Sequence, residues 1–529
     1  MFNKHFIYFS FFLFLFFSFI FHTHIPPIWP DEVLFFNPAF ELGINGVMRT
    51  SVLDGLIPGM DTHTLWMPPT FMVLLSLLLK VFPANLLTAR LFSTFVSLGS
   101  LFLVYQISKS LRFSLKRIGF ILFFIATDLV FLKFSHTSRM ESLCSFFALS
   151  AFYFLLKSKN QTDHNELDPT KSDLFFSAVS LSLSFLSHPF GIVHSLPILF
   201  LLYQRNSFTP WRIFLYCIGG LIPLTAWLFY IIPNLDLFVI QFGAQLSRKN
   251  ELLGKFNWID KVKIIFSVYK FPLIKLSLYF VTVFMFAFYF IKTKFKDTNK
   301  AEYFIKLIKT DNEFFALIWL LTITTFLFLS SEFWYVFHMT VPFVLILSYL
   351  LSEIKLSRYF VYLSIGYNVF IIIWIIVSSF FIYKLPEKVD IFFSEIEKVV
   401  EAHNNVYLQA IPDPYFYLKE KFPNKNIREF IPGELSGLNK SQTEKKSKSL
   451  LVELGVLKDN YKIDESFYYA TIEKQDVFIF YNENLMNPYI KKHLEKNSAF
   501  FERKIISVET PKGSDLKLEA VAFVKKQKN

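Results

Sequence analysis

Only two of the 529 residues are cysteines, Cys144 and Cys217, and both stand inside apolar runs. That excludes a disulfide framework and gives no support to a cysteine-based metal site. Charge is scarce too, at 18% of residues, below the share an ordinary soluble domain carries. No repeat of fixed period runs through the chain. What is present is apolar: 53% hydrophobic residues, 19% aromatics, 70 phenylalanines and a mean hydropathy of +0.42. Such a chain reads as a polytopic α-helical membrane protein. The net charge of +12 then belongs to cytoplasmic loops facing anionic headgroups rather than to nucleic-acid binding.

The first apolar run, residues 6 to 22, follows a basic start but no small-residue cleavage site. It reads as an uncleaved span with its N-terminus in the cytoplasm. The next run, Met67 to Phe82, is about 24 Å long as a helix, short of the bilayer's hydrocarbon core of about 30 Å. If it is a juxtamembrane or re-entrant helix, the basic loop KSLRFSLKR (109–117) falls inside, as the positive-inside rule asks. Spans near 87–107, 117–134, 141–156, 174–187, 190–203, 212–232, 272–291, 313–330, 335–351 and 359–381 follow. Eleven spans in all put the C-terminal region outside. The outward features are then the first loop (23–86), SHTSRME (135–141), SHPFG (187–191), a long loop from Pro233 to about Phe271, and SEFWYVF (331–337).

The membrane part covers residues 1–383. Over 384–529 charges become dense and apolar runs shorten to strand length. NVYLQA, DVFIFY and LKLEAVAFVKK predict strands, and DPYFYLKEKF and NPYIKKHLEK predict helices, so a small α/β domain is expected outside the membrane. The tract GLNKSQTEKKSKS between its halves predicts a loop. No Gly-rich phosphate loop and no nucleophile elbow occurs in it.

The chemistry is expected in the first loop. Asp31 and Glu32 follow the first span in HTHIPPIWPDEV, and the loop closes on DTHTLWMPP. Adjacent side chains cannot aim at one atom, so the pair is expected to divide its work between substrate and a neighbour or metal. A carboxylate at a membrane boundary is partly desolvated and thereby a better general base. The alternative is a solvated acidic pair that merely ends a span.

The order PDEV, then WMPPTFMVLLSLLLKVFPANLLTAR, then SHTSRME, then SHPFG resembles the GT-C membrane glycosyltransferases. The nearest branch holds the protein O-mannosyltransferases and the bacterial aminoarabinose and other lipid-directed sugar transferases. In that family an Asp-Glu pair opens the first outer loop, a Pro-Pro motif heads an apolar segment, and an Ala-Arg starts the next span, matched by Ala89-Arg90. The resemblance implies a hexosyl- or pentosyltransferase. It would move a sugar from a polyprenyl-phosphate donor to a lipid, glycan or protein acceptor on the non-cytoplasmic face, with inversion. It makes Asp31 the general base and Glu32 an orienting group. Arg139 is the candidate phosphate clamp, with Glu141 its partner or a sugar contact; a simple interfacial ion pair is the alternative.

In the second outer loop Arg248 and Lys249, with Lys255, Lys261 and Lys263, stand among Phe and Trp residues. They would bind an anionic group of donor or acceptor, or else belong to an interfacial amphipathic helix. Phe333, Trp334 and Tyr335 read as part of an aromatic belt. Asp61 and His63 have a spacing that a divalent metal could use, although His63 does not stand directly before the prolines; no cofactor or metal ligand is assigned. Two other classes stay open, a polytopic transporter and a non-catalytic scaffold for envelope glycan assembly. A transporter would show charged or broken mid-membrane segments. Phe-, Lys- and Asn-rich, Gly-poor usage points to A/T-rich coding and a bacterial inner membrane.

Overall fold

The computed structural model describes residues 4–21, 25–157, 169–294, 312–429 and 465–526, apart from positions 56, 206, 256, 270, 331, 354–356, 511, 513 and 515. The linker expected at GLNKSQTEKKSKS lies outside the described residues, as does most of the basic stretch 292–309.

Helix α1 (Lys4–Phe21) is followed by two helices of the first loop, α2 (Pro30–Asn45) and α3 (Thr70–Leu79). Ten residues of α3 rise about 15 Å, half a bilayer core, so it is a juxtamembrane element by length. Then come α4 (Leu86–Ser110), α5 (Leu115–Thr127), α6 (Leu129–Ser135), α7 (Met140–Leu156), α8 (Lys171–Ser187), α9 (Ser195–Gln204) and α10 (Pro210–Ile231). The second long loop carries α11 (Leu235–Lys255) and α12 (Trp258–Phe266), and α13 (Pro272–Lys294), α14 (Asn312–Ser330), α15 (Thr340–Glu353) and α16 (Ser357–Ile376) complete the membrane part. Among the described residues six helices are long and apolar enough to cross a membrane, or seven if the bent pair α5 and α6 is one span; four more apolar helices are shorter. The chain is thus a multi-pass membrane protein by length and composition. The expected single helices at 117–134 and 190–203 are each broken, the first by a 61° bend, the second by a 3-10 turn over Pro189–His194.

Packing between these helices uses small and hydroxyl side chains, because lipid offers no hydrophobic drive for helix association. Ser177 Oγ donates to the Ala151 carbonyl at 3.0 Å, and Ser184 Oγ to the Cys144 carbonyl at 2.8 Å, tying α8 to α7. The apolar residues that stay exposed, among them Phe19, Phe229, Leu273 and Phe284, are suited to a lipid surround. The segment Phe333–Leu350 runs through the middle of the bundle with 83% of its residues buried.

The α5–α6 break has an electrostatic cause. Asp128 sits between the helices and caps α6, accepting from Val130 and Phe131 N–H at 3.1 Å. Its other oxygen accepts from Lys275 Nζ of α13 at 2.9 Å, both side chains being at most 3% exposed. The ammonium is also ringed by Tyr269, Phe124 and Phe343, 4.9 to 5.4 Å from their centroids. A buried charge in a broken apolar segment was not expected from the sequence, which has no local pattern that joins Asp128 to Lys275.

The C-terminal part is a five-stranded sheet with helices on it. Helix α17 (Leu385–Val400) was not foreseen; it buries Val389, Phe392, Phe393, Ile396 and Val400, one face at helical spacing. The strands are β1 (Asn405–Gln409), β2 (Asn426–Glu429), β3 (Val477–Phe480), β4 (Phe501–Val508) and β5 (Leu518–Lys525), in the order β2-β1-β3-β5-β4. β1 pairs in parallel with β2 and β3, and β5 runs antiparallel between β3 and β4. Helices α18 (Tyr415–Lys421), α19 (Glu465–Ile472) and α20 (Pro488–Lys496) complete it. The segments expected from NVYLQA, DVFIFY and LKLEAVAFVKK are β1, β3 and β5; β2 and β4 are additional.

This sheet shares one hydrophobic core with the first loop, since Val33, Phe35, Phe36 and Phe71 cluster with Val406, Tyr407, Phe416 and Ile479. Arg428 closes on Asp54 at 2.7 Å. Gly55, at φ +78°, lies so close to α19 that a Cβ would fall 2.4 Å from the Thr471 side chain, a conformation and a space that only glycine tolerates.

Lys275→Met should strand the buried Asp128 carboxylate and lower stability by about 3–5 kcal/mol. Thermal unfolding in detergent checks this, and adding Asp128→Asn, which keeps the cap, should recover most of the loss.

Candidate functional site

Helix α2 begins on Pro30, whose fixed φ suits the first helical position, and its first turn carries Asp31 and Glu32, where the positive end of the helix favours anions. About 100° of helix rotation separates the two side chains, so they go to different arginines.

Glu32 turns inward and is fully buried. It accepts from Arg90 Nε and Nη2 of α4 at 3.0 and 2.7 Å, from the Ser138 N–H at 2.9 Å, and from the Trp29 N–H at 3.3 Å. Arg90, also fully buried, donates to the Pro26 carbonyl at 3.0 Å. This bidentate pair joins α2, α4 and the turn between α6 and α7, and four donors satisfy the carboxylate. Arg90 was visible in the sequence only as part of the Ala-Arg motif; nothing local assigned it to Glu32.

Asp31 turns outward, its side chain 33% exposed, and meets Arg139 Nη1. Arg139 precedes α7, and Glu141 lies in the first turn of that helix. Glu141 accepts from Arg139 Nη2 at 2.8 Å and from Nε at 3.2 to 3.3 Å. The guanidinium lies 4.0 Å over the Trp334 ring, and the Trp29 ring is 5.9 Å from Trp334. The flat stack and two carboxylates fix the plane of the cation. Among the described residues three of its five N–H groups serve Asp31 and Glu141, and two are left for a further oxygen. The aromatic residue expected in a belt, Trp334, is therefore part of the site. The structure brings Asp31, Glu32, Arg139 and Glu141 together.

The remaining candidates lie elsewhere. His63 packs on Tyr230 at 5.9 Å between ring centroids, and its carbonyl accepts from Gln241 Nε2 at 3.1 Å. It makes no described contact with Asp31 or Arg139. Arg248 and Lys249 fall in α11, and their side chains lie outside the described residues. Lys263 reaches only the exposed Asp260, at 3.6 Å.

Asp61 is exposed and does not join His63 in a ligand set. A metal-compatible group does form among Cys144, His194 and His338, all buried, with a ligand atom of each within 4.8 Å of the others. It fits a neutral hydrogen-bond chain better than a cation. Trp319 Nε1 donates to His194 Nδ1 at 3.3 Å, which places the ring proton on Nε2, 3.4 Å from His338 Nδ1. The indole N–H thus takes the lone pair whose partner nitrogen a metal would need.

Helices long and apolar enough to cross a membrane, a helix with a paired carboxylate and guanidinium at its rim, and a small sheet packed on that helix define a class of multi-pass membrane proteins with a small C-terminal sheet region. Two solved structures share this architecture. ArnT from Cupriavidus metallidurans bound to undecaprenyl phosphate is 10% identical, with a TM-score of 0.60 over 98% of this chain and 97% of that one. The same protein in the apo state is 9% identical, with a TM-score of 0.54 over 94% and 93%. No family model and no curated protein matches the chain. The likeness gives the fold, and it agrees with the GT-C resemblance of the sequence motifs.

Glu32→Ala should cost about 3–5 kcal/mol, because Arg90 is left charged and buried. Asp31→Ala should cost no more than about 1 kcal/mol, because Asp31 is partly exposed and Arg139 keeps Glu141. Thermal unfolding of the two variants side by side checks the difference.

Proposed function

We propose that this protein is a membrane glycosyltransferase that takes a sugar from a polyprenyl-phosphate donor and transfers it to a hydroxyl of a lipid, glycan or protein acceptor. What carries the reading is the half-open Asp31–Arg139–Glu141 group at the rim of α2. One basic oxygen and one oriented cation stand side by side there, as the reaction requires. Support comes from the ArnT fold, in a structure described as bound to undecaprenyl phosphate, and from the order of the sequence motifs.

In this mechanism the acceptor hydroxyl gives its proton to Asp31 as its oxygen bonds to the anomeric carbon from the face opposite the leaving phosphate. The bond between that carbon and the phosphate oxygen breaks, with inversion. The two unused N–H groups of Arg139 meet the phosphate as negative charge gathers on it. Glu141 and the Trp334 ring hold the guanidinium in plane. Glu32 is a positioning residue, because its carboxylate is spent on Arg90 and the Ser138 and Trp29 amides. A divalent ion is not required by these residues.

The reading sets the protein in a bacterial inner membrane with eleven crossings, the N-terminus inside and residues 384–529 on the face that carries Asp31. Purified protein in lipid, given a labelled polyprenyl-phosphate sugar and membrane acceptors, should transfer label. Asp31→Asn should lower the rate about 10²- to 10⁴-fold, the range for loss of a general base, with thermal stability unchanged. Full activity in Asp31→Asn would remove it as base, and solute flux without any donor would turn the reading to a transporter.

A further inference from the structure

Where the C-terminal sheet meets the first loop, two carboxyl groups are shut in together. Asp413 follows β1 and Glu429 ends β2; they are 0% and 2% exposed. Asp413 donates its backbone N–H to the Ile28 carbonyl at 2.9 Å, three residues before Asp31. One of its oxygens accepts from the Tyr415 N–H at 2.8 Å. Its other oxygen, and both oxygens of Glu429, find no N–H or neutral O–H donor among the described residues. The two groups meet carboxyl to carboxyl, with Glu32 as a further acid facing Asp413 from α2.

Among the described residues, the nearby cations are committed. Arg90 neutralises Glu32. Arg428, one residue before Glu429, points to the other face of the strand and pairs with Asp54. Tyr415 feels Glu429, Glu41 and Asp413, and its hydroxyl is engaged by Asn37 Nδ2 of α2 at 3.4 Å. Two ionised carboxylates with no donor between them among the described residues of this buried seam would repel strongly. A single proton resolves this, held on Glu429 and donated to Asp413.

We infer that Asp413 and Glu429 form a proton-sharing clasp that positions the start of α2, so that the seam between the C-terminal sheet and the helix carrying Asp31 is intact only while that proton is bound. Burial pushes Glu429 well above the ordinary carboxyl range, and the Asp413 carboxyl beside it pushes the same way; burial raises Asp413 as well. The folded state therefore binds a proton that the unfolded chain has lost. The contribution to stability is complete below the ordinary carboxyl pKa and is lost as pH rises through the raised value. The consequence for catalysis rests on Asp31 being the base; the clasp itself does not.

Hydrogen exchange of the full chain in lipid, read at residues 29–40 and corrected for the intrinsic pH dependence, tests the clasp without any sugar transfer. In the wild type the opening equilibrium should rise about tenfold per pH unit between the ordinary carboxyl pKa and the raised value and level off above it, the signature of one proton. Glu429→Gln, which keeps a donor to Asp413, should abolish that slope. An unchanged slope in Glu429→Gln overturns the proposal, as does loosening of the wild type by a chelator at neutral pH, which would mean a bridging cation. If the variant does not fold, the wild type decides. A protonated-carboxyl infrared band should be present between the ordinary carboxyl pKa and the raised value and vanish over the pH range around the raised value, and its absence between the two overturns the clasp. Where transfer is measurable, kcat should fall over that range with KM unchanged, and Glu429→Gln should remove the fall.

Discussion

The ion pair between Glu32 and Arg90 is the constraint on which the rest of the site depends. Both groups are fully buried, so neither tolerates the loss of the other. Their contacts reach Trp29, Pro26 and Ser138, and so lock the start of α2 to α4 and to the turn before α7. Once that lock is closed, helix geometry leaves Asp31 one direction to point, toward Arg139. The buried carboxylate thus decides where the half-exposed one can act.

The membrane bundle and the C-terminal sheet both serve that geometry. Arg139 and Glu141 stand at the start of α7, held against α8 by serine hydrogen bonds, and Trp334 is presented by the turn before the buried helix α15. From the other side the sheet closes over α2 through Phe36 against Phe416, 4.8 Å between centroids, and through Arg428 on Asp54. Charge is spent sparingly in both parts. Asp128 with Lys275 and Glu32 with Arg90 are buried pairs, whereas Arg139 stands beside the partly exposed carboxylate of Asp31.

Much of the fold was legible in the chain itself, as were the residues that meet around Arg139. Apolar runs of bilayer length, basic loops and the change of composition after residue 384 reflect solvent, lipid or water, and such local constraints write themselves into consecutive residues. The same holds for β1, β3 and β5, whose apolar runs have strand length, and for Asp31 and Arg139, which stand in short polar stretches between apolar ones. β2 and the broken helices were less visible, because NIRE has no apolar run and Asp128, at the break, pairs with a lysine 147 positions away.

By itself the sequence determined the class, a multi-pass membrane protein with a small C-terminal sheet region, and named the polar residues that no lipid-facing segment would keep without cause. Only the tertiary structure decided how they pair. It separated Asp31 from Glu32, gave Glu32 to Arg90 and Arg139 to Trp334, left His63 aside, and brought Asp413 and Glu429 together under Ile28. Composition and periodicity record what each residue is dissolved in. Pairing of charges across 58 and 108 positions depends on how helices pack, and no local pattern encodes it.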